Sequence, residues 1–325
     1  KMKNILVTGG AGYIGSHIVE LLVKKKYKVF IIDNLSTGFK RLLHKKAKFY
    51  KGDINKSNLV RKIIKKNKID SVIHLAASLN VTEAEKKPIK YFKNNIMGTL
   101  SLIEACDRSS VKNFIFSSSC SVYSDNQPYV NETTVTKPKG IYGFTKIMGE
   151  EIIKKKYFHT RKMNYGILRY FNVVGASISG KIGQIQKNGQ LFKNLSMEII
   201  KKRPVFNVYG NDYKTSDGTC IRDYIHVCDL ADIHLRTLSK IKASNKSLTL
   251  NCGYGRGLSV LEVMNEFKKF SKNKIKINFK NRRSGDMVKV IANTKKLKKI
   301  LNWKPKYYNL NKIVKSSINW EKIIK

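Results

Sequence analysis

Apolar residues in the first half of the chain fall into two alternating rhythms. Residues 4–8 form a short apolar run that ends in a glycine-rich turn, and residues 17–23 follow with helical spacing and close in lysines. Residues 28–33 hold Val29-Phe30-Ile31-Ile32 and stop on Asp33. Further short runs at 48–50, 71–75, 113–117 and 164–169 alternate with helical patterns at 59–67, 94–107 and 142–155. Strands alternating with helices of this length predict βαβ units and a parallel sheet. Their continuous apolar character predicts a sheet covered on both faces. After Phe171 the rhythm breaks. Residues 175–218 are rich in Gly, Asn, Lys and Ser with one helix near 191–201, which reads as loops over a site before a smaller α/β region.

A length of 325 residues suits two domains. Hydrophobic residues at 42% can build a sizeable core, and 27% charged residues is ordinary for a globular chain. The net charge of +43 is not ordinary. Its lysines recur in short runs, as at 24–26, 154–156 and 295–299, and never gather into one basic arm. No nucleic-acid motif accompanies them. They therefore read as solvated surface lysines rather than a specific nucleic-acid site, with a positive field that favours an anionic substrate. Cys106, Cys120, Cys220, Cys228 and Cys252 are odd in number and irregular in spacing. This argues against a disulfide framework or a zinc site and for a reducing compartment. The histidines have no metal-ligand spacing, so no metal is expected. The Ile5-Leu6-Val7 run is too short for a signal peptide, and no stretch is apolar enough to span a membrane. The expected location is the cytoplasm.

The first turn reads Thr8-Gly9-Gly10-Ala11-Gly12-Tyr13-Ile14-Gly15. Glycine is needed there for a sharp exit from the strand, for close approach of a pyrophosphate to backbone, and for tight helix–sheet packing. The helix start supplies N–H donors and a positive dipole end. Such a motif alone is weak. Its place between first strand and first helix, with Asp33 closing the second strand about 20 residues later, makes it a dinucleotide site. An acid at Asp33 accepts hydrogen bonds from ribose hydroxyls and repels a 2′-phosphate, so NAD is favoured over NADP. The fold expectation is thus α/β, a Rossmann-type doubly wound parallel sheet over residues 1–171, with a smaller C-terminal α/β domain over 172–325. Asp53 is a candidate cap near the adenine, with a simple turn as the alternative.

Tyr142 and Lys146 stand one helical turn apart. Among 16 tyrosines in a lysine-rich chain this spacing also arises by chance, as at Tyr308 and Lys312. Tyr142 differs in context. It opens the helix before the sixth strand, and the fifth strand ends in Ser117-Ser118-Ser119. Ligands of parallel sheets bind at the carboxyl ends of strands. A free phenol has a pKa near 10, so a base near pH 7 needs a shift of roughly three units, about 4 kcal/mol of differential stabilisation. Lys146 and a positive nicotinamide ring are the candidates to supply it.

With these motifs the chain resembles the extended short-chain dehydrogenase/reductase family over nearly its whole length, and within it the UDP-glucose 4-epimerase branch. The matching stretches are TGGAGYIGSH at 8–17, Asp33-Asn34-Leu35, HLAA at 74–77, NNIMGT at 94–99, SSS at 117–119 and YGFTK at 142–146. They continue with LRYFNVVGA at 168–176, DGTCIRDYIHVCDLADIH at 217–234 and RRSGD at 282–286. The resemblance implies interconversion of UDP-glucose and UDP-galactose through a 4-keto intermediate. Tyr142 takes the proton of the sugar 4-hydroxyl, NAD takes the hydride and returns it to the other face, Ser119 hydrogen-bonds the reacting oxygen, and Lys146 holds the nicotinamide ribose. It implies cofactor contacts from Gly9, Gly12, Tyr13, Ile14, Gly15, Asp33, Asn34, Asp53, Ile54, Leu75, Ala76, Ala77, Asn94, Tyr142, Lys146 and Tyr170. It implies contacts to the UDP-sugar from Ser119, Tyr142, Asn172, Arg222, Arg283 and Asp286. It further implies that 172–325 binds the UDP-sugar, that a segment near 222–240 returns to the first domain, and that helices 94–107 and 142–155 pack a homodimer.

Two departures matter. Val290, four residues after Asp286, stands where the resembled enzymes use a bulky Tyr to exclude N-acetylated sugars, so UDP-N-acetylglucosamine joins UDP-glucuronate and UDP-pentoses as alternative substrates. Gln190 replaces the usual Asn or His, and the 180–190 loop aligns poorly. Related dehydratases place an Asp-Glu pair after the catalytic hydroxyl. Here Ser119 is followed by Cys120-Ser121, which argues against elimination. Ser119, Tyr142 and Lys146 together argue against a non-enzymatic NAD-sensing or nucleic-acid-binding role.

Overall fold

The computed structural model describes residues 3–109, 111–124, 127–160, 162–187, 190–283 and 286–325. Ser284 and Gly285 of the 282–286 motif, and Asn188 and Gly189 of the 180–190 loop, lie outside the described residues.

Among the described residues, seven strands form the main sheet, in the spatial order Lys48–Lys51, Lys28–Asp33, Asn4–Thr8, Ser71–His74, Asn113–Ser119, Asn164–Tyr170, Leu248–Cys252. The first six pair in parallel. This is the expected Rossmann-type doubly wound α/β sheet. Its strands are apolar throughout because both faces are covered. Ile5, Leu6, Val7, Ile31, Ile32, Val72, Ile73, Phe114 and Ile115 are all fully buried. The helix Ser57–Lys66 buries Val60, Ile63 and Ile64 at helical spacing, and these join Leu6, Phe30, Val72, Leu102 and Phe114 in one core. The order of strands reverses between Asn4–Thr8 and Ser71–His74, and a crevice for ligand opens at such a switch point.

The helix expected over 94–107 is not uniform. Phe92–Met97 is a π-helical turn, and the α-helix proper is Gly98–Asp107. Single π turns inside α-helices are frequent at functional sites. Here Asn94 and Asn95 both reach the segment after Ser71–His74, as described below.

The chain divides into two compact units. One holds Lys1–Ser124, Val135–Tyr170 and Ala231–Leu250, and the other holds Asp125–Thr134, Phe171–Leu230 and Asn251–Lys325. In the second unit Ile221–His226 is the central strand. It pairs antiparallel with Gly257–Ser259 and parallel with Lys289–Ala292 and Asn172–Val174. Val205–Tyr209 and Lys276–Lys280 make a separate parallel pair. Asp223 ties this unit together. It is fully buried and accepts the backbone N–H groups of Tyr254 (2.8 Å), Gly255 (2.8 Å) and Ala292 (3.2 Å). Burial pushes its carboxyl up to about 6 against those donors. Among the described residues no helix is long and apolar enough to cross a membrane.

Candidate active site

The glycine turn brings backbone against backbone. Gly9 has φ +72°, and a Cβ on it would stand 2.7 Å from Ala76 N. A Cβ on Gly15 would stand 2.2 Å from Gly9 O, so the helix Tyr13–Lys24 can start against the turn only as glycine. Its N-cap Gly12 makes no side-chain cap hydrogen bond, and its first turn, which contains Tyr13, Ile14 and Gly15, carries no acid. The positive end of the helix is thus unopposed by its own side chains. Asp33 lies beneath the turn, accepting Ala11 N at 3.0 Å and Leu35 N at 2.8 Å. Burial pushes its carboxyl up, and those two donors oppose the rise. Asn34 Nδ2 donates to Asp53 Oδ2 at 3.1 Å, and Asp53 Oδ1 accepts Asn55 N at 2.8 Å and Asn55 Nδ2 at 2.9 Å. Burial raises Asp53, but these bonds together outweigh it and hold the carboxyl below its ordinary value. Ile54 is buried, and its carbonyl accepts Ser101 Oγ at 3.0 Å.

The segment after Ser71–His74 is held by a buried relay. Leu75 N and Ala76 N both donate to Thr8 Oγ1 at 3.2 Å. Thr8 Oγ1 pairs with His74 Nδ1 at 2.8 Å, and His74 Nε2 with Thr99 Oγ1 at 3.0 Å. Thr99 Oγ1 gives its proton to Asn95 O at 2.6 Å, so it can only accept from His74. That assigns the Nε2–H tautomer and makes Thr8 the donor to Nδ1. Burial, with the charge of Lys146 adding to it, holds His74 down to about 3, hence neutral. Ala77 follows half-buried. Ser78 N donates to Asn95 Oδ1 at 2.8 Å, and Asn95 Nδ2 donates to Ser78 O at 3.1 Å and Thr145 Oγ1 at 3.0 Å. Asn94 Nδ2 donates to Ser78 Oγ at 3.0 Å. The π turn thereby joins this segment to the helix that carries Tyr142.

That helix is Ile141–Thr160, and glycines set its distance from the sheet. A Cβ on Gly143 would stand 2.2 Å from Ser121 O, and one on Gly149 would stand 2.5 Å from the Phe116 ring. Close approach puts Tyr142 and Lys146 beside the end of Asn113–Ser119. Lys146 is buried. Its Nζ donates to Ser117 O at 2.9 Å and lies 5.8 Å from the centre of the Tyr142 ring. Burial holds its ammonium down to about 7. Burial pushes the Tyr142 phenol well above its ordinary value, and the hydroxyl of Ser119 pulls the other way as a hydrogen-bond partner. The downshift expected of Tyr142 is therefore not supplied by the protein alone. Lys146 is itself desolvated and is a weaker source of positive charge at neutral pH than a solvated lysine.

Beneath the serine run lies a buried ion pair. Glu150 is 0% and Arg169 3% exposed. Arg169 Nε and Nη2 donate to the two Glu150 oxygens at 2.8 and 2.7 Å, and Ser118 Oγ donates to Glu150 Oε1 at 2.6 Å. Arg169 Nη1 also reaches Tyr123 OH at 2.8 Å. Tyr170, in register with Ser119 on the neighbouring strand, has its hydroxyl 2.6 Å from His234 Nε2.

The second unit holds the other predicted residues. Asn172 opens the short strand Asn172–Val174. Arg222 lies on the central strand, with Nη1 on Ile221 O at 2.9 Å and Nη2 3.7 Å from Asp286 Oδ1. Val290 is its register partner and is buried. Arg283 is exposed, its guanidinium 3.8 Å from the centre of the Tyr209 ring. Gln190 is the exposed N-cap of the helix Leu191–Ile199.

The profile of the NAD dependent epimerase/dehydratase family matches residues 5–253. The chain belongs to that family. It is 40% identical over 320 residues to the UDP-glucose 4-epimerase of Lactobacillus helveticus, a match covering 98% of this chain and 97% of that protein. Among solved structures it is similar to the UDP-glucose-4-epimerase of Stenotrophomonas maltophila with bound NAD and formylated UDP-arabinopyranose. The TM-score is 0.94 and the identity 33%, covering 99% of this chain and 98% of that one. It is also similar to the UDP-Glc/GlcNAc 4-epimerase of Campylobacter jejuni, with TM-score 0.86 and 38% identity over 99% of both chains.

For this member of the family, sequence reasoning singled out the glycine turn, Asp33, Ser119, Tyr142 and Lys146, and the structure gathers them in one unit. It missed the supports: His74, Asn95, Gly143 and the Glu150–Arg169 pair. One signal was available. Arg169 interrupts a continuous apolar strand, and a charge there must be paired to be buried.

Proposed function

We propose that this chain is an NAD-dependent UDP-sugar 4-epimerase that interconverts UDP-glucose and UDP-galactose. The observation that carries the reading is the meeting of Ser119, Tyr142 and Lys146 at the end of Asn113–Ser119, in the same unit as the glycine turn. The turn fits a dinucleotide. Side chains at Gly9 or Gly15 would strike backbone, and the N-terminus of Tyr13–Lys24 has no acid of its own. Gly9, Gly12 and Gly15 would hold the pyrophosphate, Asp33 and Asn34 the adenosine ribose, and Asp53 with Ile54 the adenine side. Tyr13, Ile14, Leu75, Ala76, Ala77, Asn94 and Tyr170 complete the cofactor's surroundings. When bound, NAD supplies a hydride acceptor for the sugar C4 and a positively charged ring that favours phenolate.

The chain's own residues handle the proton. Tyr142 accepts it from the 4-hydroxyl and returns it to the ketone oxygen. Ser119 donates a hydrogen bond to that oxygen, and Lys146 holds the nicotinamide ribose. Asn172, Arg222, Arg283 and Asp286 bind the uridine diphosphate, with the planar guanidinium forks suited to phosphate. The first unit serves as cofactor domain and the second as substrate domain. The enzyme works as a cytoplasmic homodimer. Met97, Leu100 and Phe144, 53%, 45% and 42% exposed on the expected pairing helices, support the dimer, and five cysteines outside any disulfide support a reducing compartment.

A second substrate is favoured by two observations. The small Val290 stands in register with Arg222, and the similar Campylobacter jejuni enzyme handles both UDP-Glc and GlcNAc. We propose that UDP-N-acetylglucosamine is also accepted. The test is to incubate purified protein with each UDP-sugar and catalytic NAD, and to follow C4 epimers by proton NMR. Conversion of UDP-galactose to UDP-glucose is expected. No conversion overturns the reading, and conversion of UDP-galactose with UDP-N-acetylgalactosamine untouched removes the second substrate.

A further inference from the structure

The helix Leu310–Ile324 turns one face toward the loop that precedes Gln190, and both lie in the second unit. Ser316, Trp320 and Ile323 recur along it at the spacing of one helix face. Ser316 Oγ accepts the Ala176 amide at 3.2 Å. A Cβ on Gly183 would stand 2.5 Å from Trp320 Cγ, and one on Gly180, where φ is +68°, would stand 2.7 Å from Ile323 Cδ1. Trp320 Nε1 donates to Gln184 O at 2.8 Å. Lys193, on the helix Leu191–Ile199, donates from Nζ to the same carbonyl at 2.8 Å and also to Glu321 Oε1. One backbone oxygen of the loop thus receives a donor from each of two helices.

Lys193 and Glu321 are 4% and 5% exposed, and each stands at the unfavourable end of its helix. Lys193 is the third residue of Leu191–Ile199, whose first turn holds no acid, and Glu321 is in the last turn of Leu310–Ile324. A cation at the positive end and a carboxylate at the negative end both work against the helix dipole. Exchanging the two would suit both helices, but a carboxylate at position 193 has no proton to give Gln184 O. Packing does not force the arrangement either. The pair lines a cavity of about 250 Å³ shared with Ser196, whose buried hydroxyl has no hydrogen-bond partner among the described residues. A buried pair adds little net stability over apolar residues of the same size, so its use lies in where it puts the carbonyl. We propose that Lys193, held by Glu321, is a positioning residue that fixes the Gln184 end of this loop and so sets the place of Gln190 against the sugar. The proposal rests on the epimerase reading, in which this loop lies over the sugar. The strand Asn172–Val174 is held separately, by pairing with Ile221–His226, so the contacts of Asn172 and Arg222 to the uridine diphosphate do not depend on the anchor.

The test compares NAD-loaded parent, Lys193→Met, and the double variant Lys193→Met with Glu321→Met. Three quantities are read: kcat/KM for UDP-galactose, the inhibition constant of UDP, which lacks the sugar, and the melting temperature. Lys193→Met is expected to lower kcat/KM about tenfold, the size of one lost charge-assisted hydrogen bond, with UDP inhibition kept within about twofold. Amide exchange of the peptide 177–187, read by mass spectrometry, should speed up while that of Ile221–His226 does not. The double variant removes the unpaired carboxylate, so its melting temperature should return toward the parent. Its kcat/KM should stay low, because Gln184 O still lacks the ammonium. A merely structural pair would instead regain activity together with stability, and that result overturns the proposal. So does a Lys193→Met with the parent's kcat/KM, or one whose UDP inhibition weakens in step with turnover. If Lys193→Met loses its cooperative melting transition, Trp320→Phe makes the same comparison. It keeps a ring against Gly183 and removes the other donor to Gln184 O, and kcat/KM should fall about fivefold; an unchanged value overturns the proposal. A parent that epimerises no UDP-sugar sinks the reading of the site itself, and this proposal with it.

Discussion

Replacing Glu150 by Gln removes one charge from beneath the serine run and leaves every atom count nearly unchanged. Arg169, 3% exposed, then meets a neutral amide where its bidentate contacts at 2.8 and 2.7 Å had ended on the Glu150 carboxylate. Lys154, 31% exposed at its side chain, can turn to water. Breaking a buried pair by neutralising one partner costs about 3–5 kcal/mol. Spread over 325 residues melting together, that lowers Tm by about 4–7 °C, and by more if the first unit melts alone. Burial pushes Glu150 up, but Arg169, helped by Ser118 and Lys154, more than reverses it and holds the carboxyl below its ordinary 4.5. The sign follows from linkage. A depressed folded-state value means the pair's stabilisation is complete above pH 4.5 and fades as pH falls below it. Scanning calorimetry of parent and Glu150→Gln from pH 8 to about 4 should therefore show a constant gap that narrows only at the acid end. Ser118 also loses its charged acceptor, and displacement of the neighbouring Ser119 should lower kcat about ten- to hundredfold. The double variant Glu150→Leu with Arg169→Met should recover much of the lost stability. A Glu150→Gln melting within about 1 kcal/mol of the parent at pH 7 would refute the reasoning, as would a double variant less stable than the single one.

Tyr142→Phe should lower kcat by about 10²–10⁴-fold with the melting temperature kept, measured by coupled epimerase assay and calorimetry. Gly15→Ala, whose new methyl would meet Gly9 O at 2.2 Å, should lose NAD affinity and stability together. Calorimetric NAD binding equal to the parent's would contradict the packing described. Arg283→Ala, at an exposed residue stacked 3.8 Å over Tyr209, should raise KM for the UDP-sugar by roughly tenfold with kcat little changed, as expected for a charge-assisted contact made equally in ground and transition states.

What was legible in the chain follows from how locally each feature is encoded. Residues such as Val29–Ile32 are apolar without interruption because both faces of the strand are covered, so the parallel sheet could be read directly. The glycine turn was legible because backbone clashes at Gly9 and Gly15 leave no other residue type. The second unit was harder. Its central strand Ile221–His226 finds partners in Asn172–Val174 and Lys289–Ala292, only three and four residues long and far away in sequence. No local period marks such strands. The supports of the site were hidden for the same reason. Asn95 meets Thr145 across 50 positions, and His74 meets Thr8 across 66. The π turn at Phe92–Met97 is fixed by these distant contacts of its asparagines, whereas the apolar spacing of 94–107 suggests a plain helix.

The central claim is that Tyr142 exchanges a proton with the sugar 4-oxygen while a bound nicotinamide exchanges a hydride with C4, and that the hydride never leaves the enzyme. It is tested most directly by running the UDP-galactose reaction in D2O with catalytic NAD and reading C4 by proton NMR. The account predicts a mixture of UDP-glucose and UDP-galactose with hydrogen fully retained at C4. Deuterium at C4, or no second epimer at all, would contradict it.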